Sequence, residues 1–134
     1  MEKNALCDQF AYYLGGRGKE KNGVCSVSFH RDINLTIEGK KSTNVLVIDV
    51  SYESLDNQGQ ALNLLEIAIL QEEIPNFVFT AVQQGIIVSA IHNHWLFTSP
   101  VIMYVHLQSI EPPLQFARKI AYAFTQLSIP PIPD

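Results

Sequence analysis

The chain contains two kinds of hydrophobic pattern. Apolar residues recur at helical spacing over residues 5–14, 71–84 and 114–127. Glycine favours the left-handed conformation that ends many helices, so Gly15 and Gly85 predict the ends of the first two. Pro75 and Pro113 fall in the first turn of the second and third predicted helices, where a missing amide costs little.

A second pattern, alternating or continuously apolar, predicts strands. Residues 24–29 and 33–38 alternate, as half-buried strands do, and residues 44–52 are rich in valine, as interior strands are. A turn signal at residues 56–59 predicts a hairpin between the third strand and a fourth. The remaining predicted strands are residues 61–70, 86–95 and 101–108, with a short turn at 98–100 between the last two, and the glycine-rich residues 15–23 are read as a flexible connection.

The order of these elements predicts the fold class. The second half runs strand, helix, strand, strand, helix, which is typical of a split β-α-β unit. We therefore predict an α+β fold: a mainly antiparallel sheet with two principal helices on one face and a short N-terminal helix. Residues 1–134 are read as one domain, with residues 128–134 as an extended tail.

Charge and hydropathy exclude several classes of protein. The formal net charge is −4 and no basic run exceeds Lys40-Lys41, so a nucleic-acid partner is not expected. No apolar run is long enough to span a membrane, and the amino terminus lacks the pattern of a signal peptide. The sequence predicts a cytoplasmic protein with no membrane partner.

Cysteine usage and apolar content add two expectations. Cys7 and Cys25 lack metal-ligand or redox spacing, so free thiols in a reducing cytoplasm are predicted, with a disulfide as the alternative. Only 16% of the residues are charged while 47% are hydrophobic, which favours burial of some apolar surface in a homodimer.

Candidate chemistry concentrates in residues 86–108, which hold three of the four histidines. His92 and His94 are two apart on a predicted strand, so both imidazoles would point to one face. His106 lies on the next predicted strand, and Glu66 lies on a strand expected nearby. Three imidazoles and a carboxylate suit a divalent metal such as Zn, Mn or Fe, with a position left for water or substrate.

Two other interpretations of the same stretch stay open. Asn93, Trp95 and Tyr104 are candidates to contact a small-molecule ligand beside the histidines, although aromatic residues equally form cores and dimer interfaces. Alternatively, the histidines organise a hydrogen-bonded core in a non-enzymatic dimeric interaction module, and Glu66 simply pairs with a histidine or lysine. No nucleophile motif is present, so no catalytic residue is assigned.

Four segments carry a resemblance to a known family. The most specific lies within residues 85–119 and contains AIHNH at residues 90–94 and MYVH at residues 103–106; the others are SYESLDNQGQALNLLEIAILQEEIPNFV, FHRDINLTIEG and the helical start ALCDQF. Together they resemble the LppY/LpqO-type bacterial family, a domain of unknown function. The resemblance covers residues 5–127 and implies that the histidine stretch recurs as a unit. In the family a proline tends to precede the arginine of FHRD, so His30 is not assigned to the site.

Overall fold

The computed structural model describes residues 3–134, with side chains from residue 5 onward. The helices are α1 (Lys3–Leu14), α2 (Ile74–Gln83, preceded by a 3-10 turn at Gln71–Glu73) and α3 (Pro113–Phe124). The strands are β1 (Gly18–Lys21), β2 (Val24–His30), β3 (Leu35–Ile37), β4 (Lys40–Ser42), β5 (Val47–Glu53), β6 (Ala61–Leu70), β7 (Ile87–His92), β8 (Thr98–Ser99), β9 (Ile102–Glu111) and β10 (Ile132–Pro133).

These strands form two antiparallel sheets. The large sheet has the order β1-β2-β5-β6-β9-β7, and β10 pairs with β2 beside β1. The small sheet has the order β4-β3-β8 and packs through its own apolar cluster against one end of the large sheet. The α+β class and the mainly antiparallel sheet are confirmed.

One face of the large sheet carries the core because its strands alternate. Val27, Val50, Leu65 and Leu107 occupy opposite positions on four successive strands and are all fully or almost fully buried. The three helices pack over this face, with α1 beside α3 and α2 beside α3 and β7. The N-terminal helix, as long as α3, therefore belongs to the same layer as the two predicted principal helices.

The glycine-rich connection is not a flexible turn throughout. Residues 18–21 form β1, which pairs with β2 through a two-residue loop at Asn22 and Gly23. Both loop residues have positive φ, 53° and 80°, as Asn-Gly hairpin turns require. The charged sequence of β1 concealed a strand that lies at the edge of the sheet.

Two other predicted boundaries were wrong. The strand predicted over residues 33–38 shortens to β3 and joins the small sheet. The strand predicted over residues 86–95 ends at His92, and residues 98–99 form β8 against β3 instead of a tight turn. A longer loop therefore joins β7 to β9.

The prediction of free thiols was also wrong. Cys7 on α1 and Cys25 on β2 form a disulfide with an S–S distance of 2.11 Å. Both residues are buried, because α1 packs directly on this end of the sheet. The pairing depends on that tertiary contact and not on any spacing in the sequence.

A buried ion pair ties β2 to α2 and to the chain after α3. The Arg31 guanidinium donates to both carboxylate oxygens of Glu73, at 2.7 and 3.0 Å, and to the Ala68 carbonyl at 2.7 Å. Glu73 also accepts from the amides of Leu70 and Ser128. Burial raises the pKa of Glu73, but the hydrogen bonds and charge supplied by these partners outweigh it and hold that pKa below the ordinary value of a glutamate.

Within the described residues, none of the helices has the length and apolarity needed to cross a membrane.

Candidate functional site

The face of the large sheet opposite the helices carries a row of polar side chains. Ser28, Asp49, Glu66 and His106 occupy directly opposite positions on β2, β5, β6 and β9. Strand alternation explains the row, since each of these residues lies between neighbours that face the core. The pairing of the strands thus brings residues that are 78 positions apart in sequence onto one line.

His92 extends this row onto β7. It pairs with Tyr104, which places it diagonally from His106 on the same face. The Nε2 atoms of His92 and His106 lie 3.0 Å apart, and the two rings are nearly parallel, with centroids 5.1 Å apart. One imidazole must donate and the other accept in this contact.

Glu66 approaches the histidine pair from the other side. Its Oε1 lies 3.9 Å from Nε2 of His106, the same nitrogen that faces His92. The side chains of His106 and Glu66 are 33% and 42% exposed, so both reach solvent. We call His92, His106 and Glu66 the histidine cluster.

The predicted pairing of His92 with His94 on one strand was wrong. β7 ends at His92, and His94 lies exposed in the following loop. Its ring contacts those of Trp95 and Tyr104, at centroid distances of 4.4 and 5.1 Å, and lies 5.7 Å from that of His92. His94 is therefore close to the histidine cluster but is held by aromatic contacts at its rim.

The residues predicted to contact a ligand divide into two groups. Asn93 and Trp95 lie in the exposed loop beside the cluster. Tyr104 is buried, stacks on His92 and donates its hydroxyl to the Val45 carbonyl. Only Asn93 and Trp95 are therefore free to reach a molecule from solvent.

The surroundings of Tyr104 act on the pKa of its hydroxyl in opposite directions. Burial raises the pKa of its hydroxyl, a hydrogen bond with Trp95 lowers it, and the nearby charge of Glu66 raises it further. The net effect is a raised pKa, so the phenol stays protonated and keeps donating to Val45. Tyr104 fixes the orientation of the His92 ring above it.

A shallow, solvent-open depression of about 310 Å³ adjoins the cluster. It is large enough for a small polar molecule. Its lining residues come from β5, β6, β7 and β9 and are mostly polar: Asp49, Ser51, Leu64, Leu65, Glu66, Ser89, His106, Leu107 and Gln108.

Sequence reasoning missed Asp49 and Ser28. The Ser28 hydroxyl lies 2.9 Å from Oδ1 of Asp49, and Asp49 is opposite Glu66. Ser28 lies in the predicted strand over residues 24–29 and Asp49 in the valine-rich strand over residues 44–52, and no feature of either strand pointed to a site. Their place beside Glu66 depends on strand order and register, which the sequence does not display.

The four predicted metal ligands do not converge. Among the described residues, no group of three or more His, Cys, Asp or Glu side chains is arranged to hold a metal ion. His94 lies off the strand, and Glu66 stands 3.9 Å from its nearest imidazole nitrogen. The Nε2 atoms of His92 and His106 do meet, so two nitrogens that could ligate a metal lie side by side.

Comparison with known proteins identifies the family. Residues 8–126 match the family described as "Domain of Unknown Function (DUF1259)", and the chain belongs to it. No curated protein and no solved structure matches the chain. The match spans the whole histidine cluster.

Proposed function

We propose that this member of the DUF1259 family binds a divalent metal ion, Zn, Mn or Fe, through His92 and His106, with Glu66 as the third ligand. The contact between the two Nε2 atoms carries the proposal. Two imidazole nitrogens on one tetrahedral zinc lie about 3.3 Å apart, given Zn–N bonds of about 2.0–2.1 Å. The observed 3.0 Å is within a few tenths of that separation.

The third ligand requires only a small movement. Glu66 is 42% exposed, and its carboxylate is already on the His106 side of the pair. Rotation of this side chain would bring an oxygen to the metal without moving the backbone. The resulting set of two histidines and one carboxylate is one that Zn and Fe enzymes use, and it leaves positions open.

The electrostatics of the row favour a cation. Asp49 and Glu66 are directly opposite on neighbouring strands, and like charges at such positions repel. The Ser28 hydroxyl donates a hydrogen bond to one carboxylate oxygen of Asp49. A divalent ion beside Glu66 would offset the remaining repulsion.

An open coordination position next to the depression supports Lewis-acid or hydrolytic chemistry on a small polar molecule. Asn93 and Trp95 do not line the depression, so they would contact only a part of that molecule that extends past the histidine cluster toward the loop, where His94 would supply a further imidazole. Glu66 would have to serve as ligand, since it is the nearest carboxylate to His106.

Metal analysis of protein purified without an affinity tag tests the proposal. We expect about one equivalent of metal, or a rise in melting temperature when Zn, Mn or Fe is added to chelator-treated protein. At a free metal concentration of about 100 times the dissociation constant, binding stabilises the folded protein by about 2.7 kcal/mol. H92A and H106A should each abolish the shift.

His30 provides the matched control. It is an exposed histidine on β2, three strands from His106, and its ring bonds Asp134 at 2.7 Å. H30A should keep the full metal response. A shift that survives H92A and H106A, or that H30A removes, would place the metal elsewhere and contradict the proposal.

A second candidate function is the dimeric interaction module with structural histidines. One observation favours it: the Nε2 atoms of His92 and His106 lie at hydrogen-bond distance from each other, so each imidazole can serve as the partner of the other. It predicts no metal response and a loss of at most about 1.5 kcal/mol on H92A, the net value of one hydrogen bond.

Two further expectations remain proposals. The resemblance to the LppY/LpqO-type family supports assigning the chain to that group. The cytoplasmic location rests on the sequence pattern, and the Cys7–Cys25 disulfide weighs against it, because disulfides persist mainly in oxidising compartments.

A further inference from the structure

The two edges of the large sheet differ in how well they are protected against pairing with another strand. On one side, β1 carries Lys19 and Lys21 at exposed positions, and β10 has only two residues and ends in Pro133. Short strands, lysine and proline are devices that stop another strand from adding to a sheet edge. This edge is closed to a partner.

The opposite edge, β7, is six residues long and lacks lysine and proline. Residues 87–91 read Ile-Val-Ser-Ala-Ile, with no charge, and no strand of the described residues lies beyond it. Its one protective feature is a bulge at Ser89, whose hydroxyl donates to the His106 carbonyl, and residues 90–92 beyond the bulge pair regularly with β9. An edge strand of this composition is a template for pairing.

Exposed apolar side chains flank this edge on both faces of the sheet. Ile87 and Ile91 lie on opposite faces because the bulge falls between them, and they are 57% and 43% exposed. α2 leads directly into β7 and packs on it, with Phe79 and Val82 exposed by 61% and 54%. We call these four residues and the β7 backbone the β7 edge surface.

We propose that β7 pairs antiparallel with β7 of a second copy of this chain. Because the β7 edge surface is uncharged, a second copy meets it without repulsion, although each copy carries a net charge of −4. An antiparallel pair of identical strands also satisfies twofold symmetry, since each residue pairs reciprocally. No other strand of the large sheet offers such an edge.

The exposed apolar area is close to what a dimer needs. A specific interface buries at least about 1,000 Å² in total, or about 500 Å² from each copy. Each half-exposed side chain of this size offers on the order of 100 Å². The four side chains and the strand backbone together approach that area.

The pairing has a consequence for the histidine cluster. A twofold axis between antiparallel strands of one sheet is perpendicular to the sheet, so both copies keep the same face outward. The clusters of the two copies, each reaching His92 on β7, would lie on one face of a continuous sheet. The pairing itself requires no metal.

Light scattering on the full chain with chelator present tests the dimer separately from metal binding. We expect a mass twice the 15.0 kDa of one chain for the wild type, and the monomer mass for I87K/I91K. Y122K is the matched control, since Tyr122 on α3 is 58% exposed, and it should stay dimeric. A monomeric wild type, or a dimer unchanged in I87K/I91K, overturns the proposal.

Amide hydrogen exchange in the wild type gives a test that needs no variant. An unpaired edge strand protects only the amides that donate to β9, whereas a strand paired on both sides protects amides along its whole length. We expect slow exchange at successive amides over residues 87–92, weakening on dilution. Alternating fast and slow amides at concentrations that give the dimer mass would contradict pairing through β7.

Discussion

Two clusters of titratable side chains in this molecule differ in their exposure to solvent and in how many of their polar atoms are hydrogen-bonded. The side chains of Arg31 and Glu73 are 0% and 1% exposed, and hydrogen bonds surround them on several sides. In the histidine cluster, Glu66 and His106 are about a third or more exposed and stand 3.9 Å apart. In the first cluster almost all hydrogen-bond donors and acceptors are paired within the protein, and in the second some are still free to bind a ligand.

The difference separates a charged side chain that stabilises the fold from one that is free to bind a ligand. A buried charge is tolerated only when partners replace its water, so Glu73 gathers its partners from three parts of the chain. A half-exposed carboxylate keeps its water and can exchange it for a ligand. Glu73, whose pKa its partners lower, is thus the structural group, and the candidate ligands lie where solvent reaches.

The largest expected effect is on the buried pair. E73Q removes the charge that compensates Arg31 and should lower the free energy of unfolding by about 3–5 kcal/mol. Urea unfolding monitored by circular dichroism measures this loss. The control is E66Q in metal-free protein, which should change stability by less than about 1 kcal/mol because Glu66 is exposed. Equal losses for the two variants would remove the distinction between the clusters.

The pH dependence of stability provides the next test. The pKa of Glu73 is lowered in the folded protein, so its contribution is fully present above the ordinary pKa of a glutamate and is lost as pH falls through the folded pKa. The stability gap between wild type and E73Q should therefore be widest near neutral pH and narrow below about pH 4.5. Urea titrations of both proteins from pH 7 to pH 3 measure it, and a gap independent of pH would contradict the assigned ion pair.

The smallest expected effect is in the histidine cluster without metal. H106Q removes the contact with His92 and should cost about 0.5–1.5 kcal/mol, the net value of one hydrogen bond. The loss should grow when zinc is added, because only the wild type gains stability from the ion. Urea unfolding with chelator and with zinc measures both values, and a loss that zinc leaves unchanged would favour a purely structural role.

Much of the fold could be predicted from the sequence because local patterns determine it. The apolar spacing of α2 and α3, the valine-rich β5 and the turn at residues 56–59 were found where predicted. The failures occurred where local pattern was weak. β1 carries two lysines, and the strand into residues 93–95 ended early because the loop pairs with β3 instead.

The site was predicted in part for the same reason. His92, His106 and Glu66 were named as histidines and a carboxylate on strands expected to be adjacent; the two histidines do meet, and Glu66 lies 3.9 Å from His106. His94 lost its strand, and Asp49 went unnamed. The first error concerns where β7 ends, and the second concerns which residues face each other across strands, which depends on register.

The sequence by itself determined most element types and the alternation of polar and apolar residues along the longer strands, because side-chain alternation and helical spacing are properties of short segments. Only the tertiary structure decided the pairings: Glu66 opposite both Asp49 and His106, Cys7 with Cys25, and Arg31 with Glu73. Each of these pairs joins segments distant in the chain. Their contacts follow from strand order and helix packing, which depend on burial of the core as a whole.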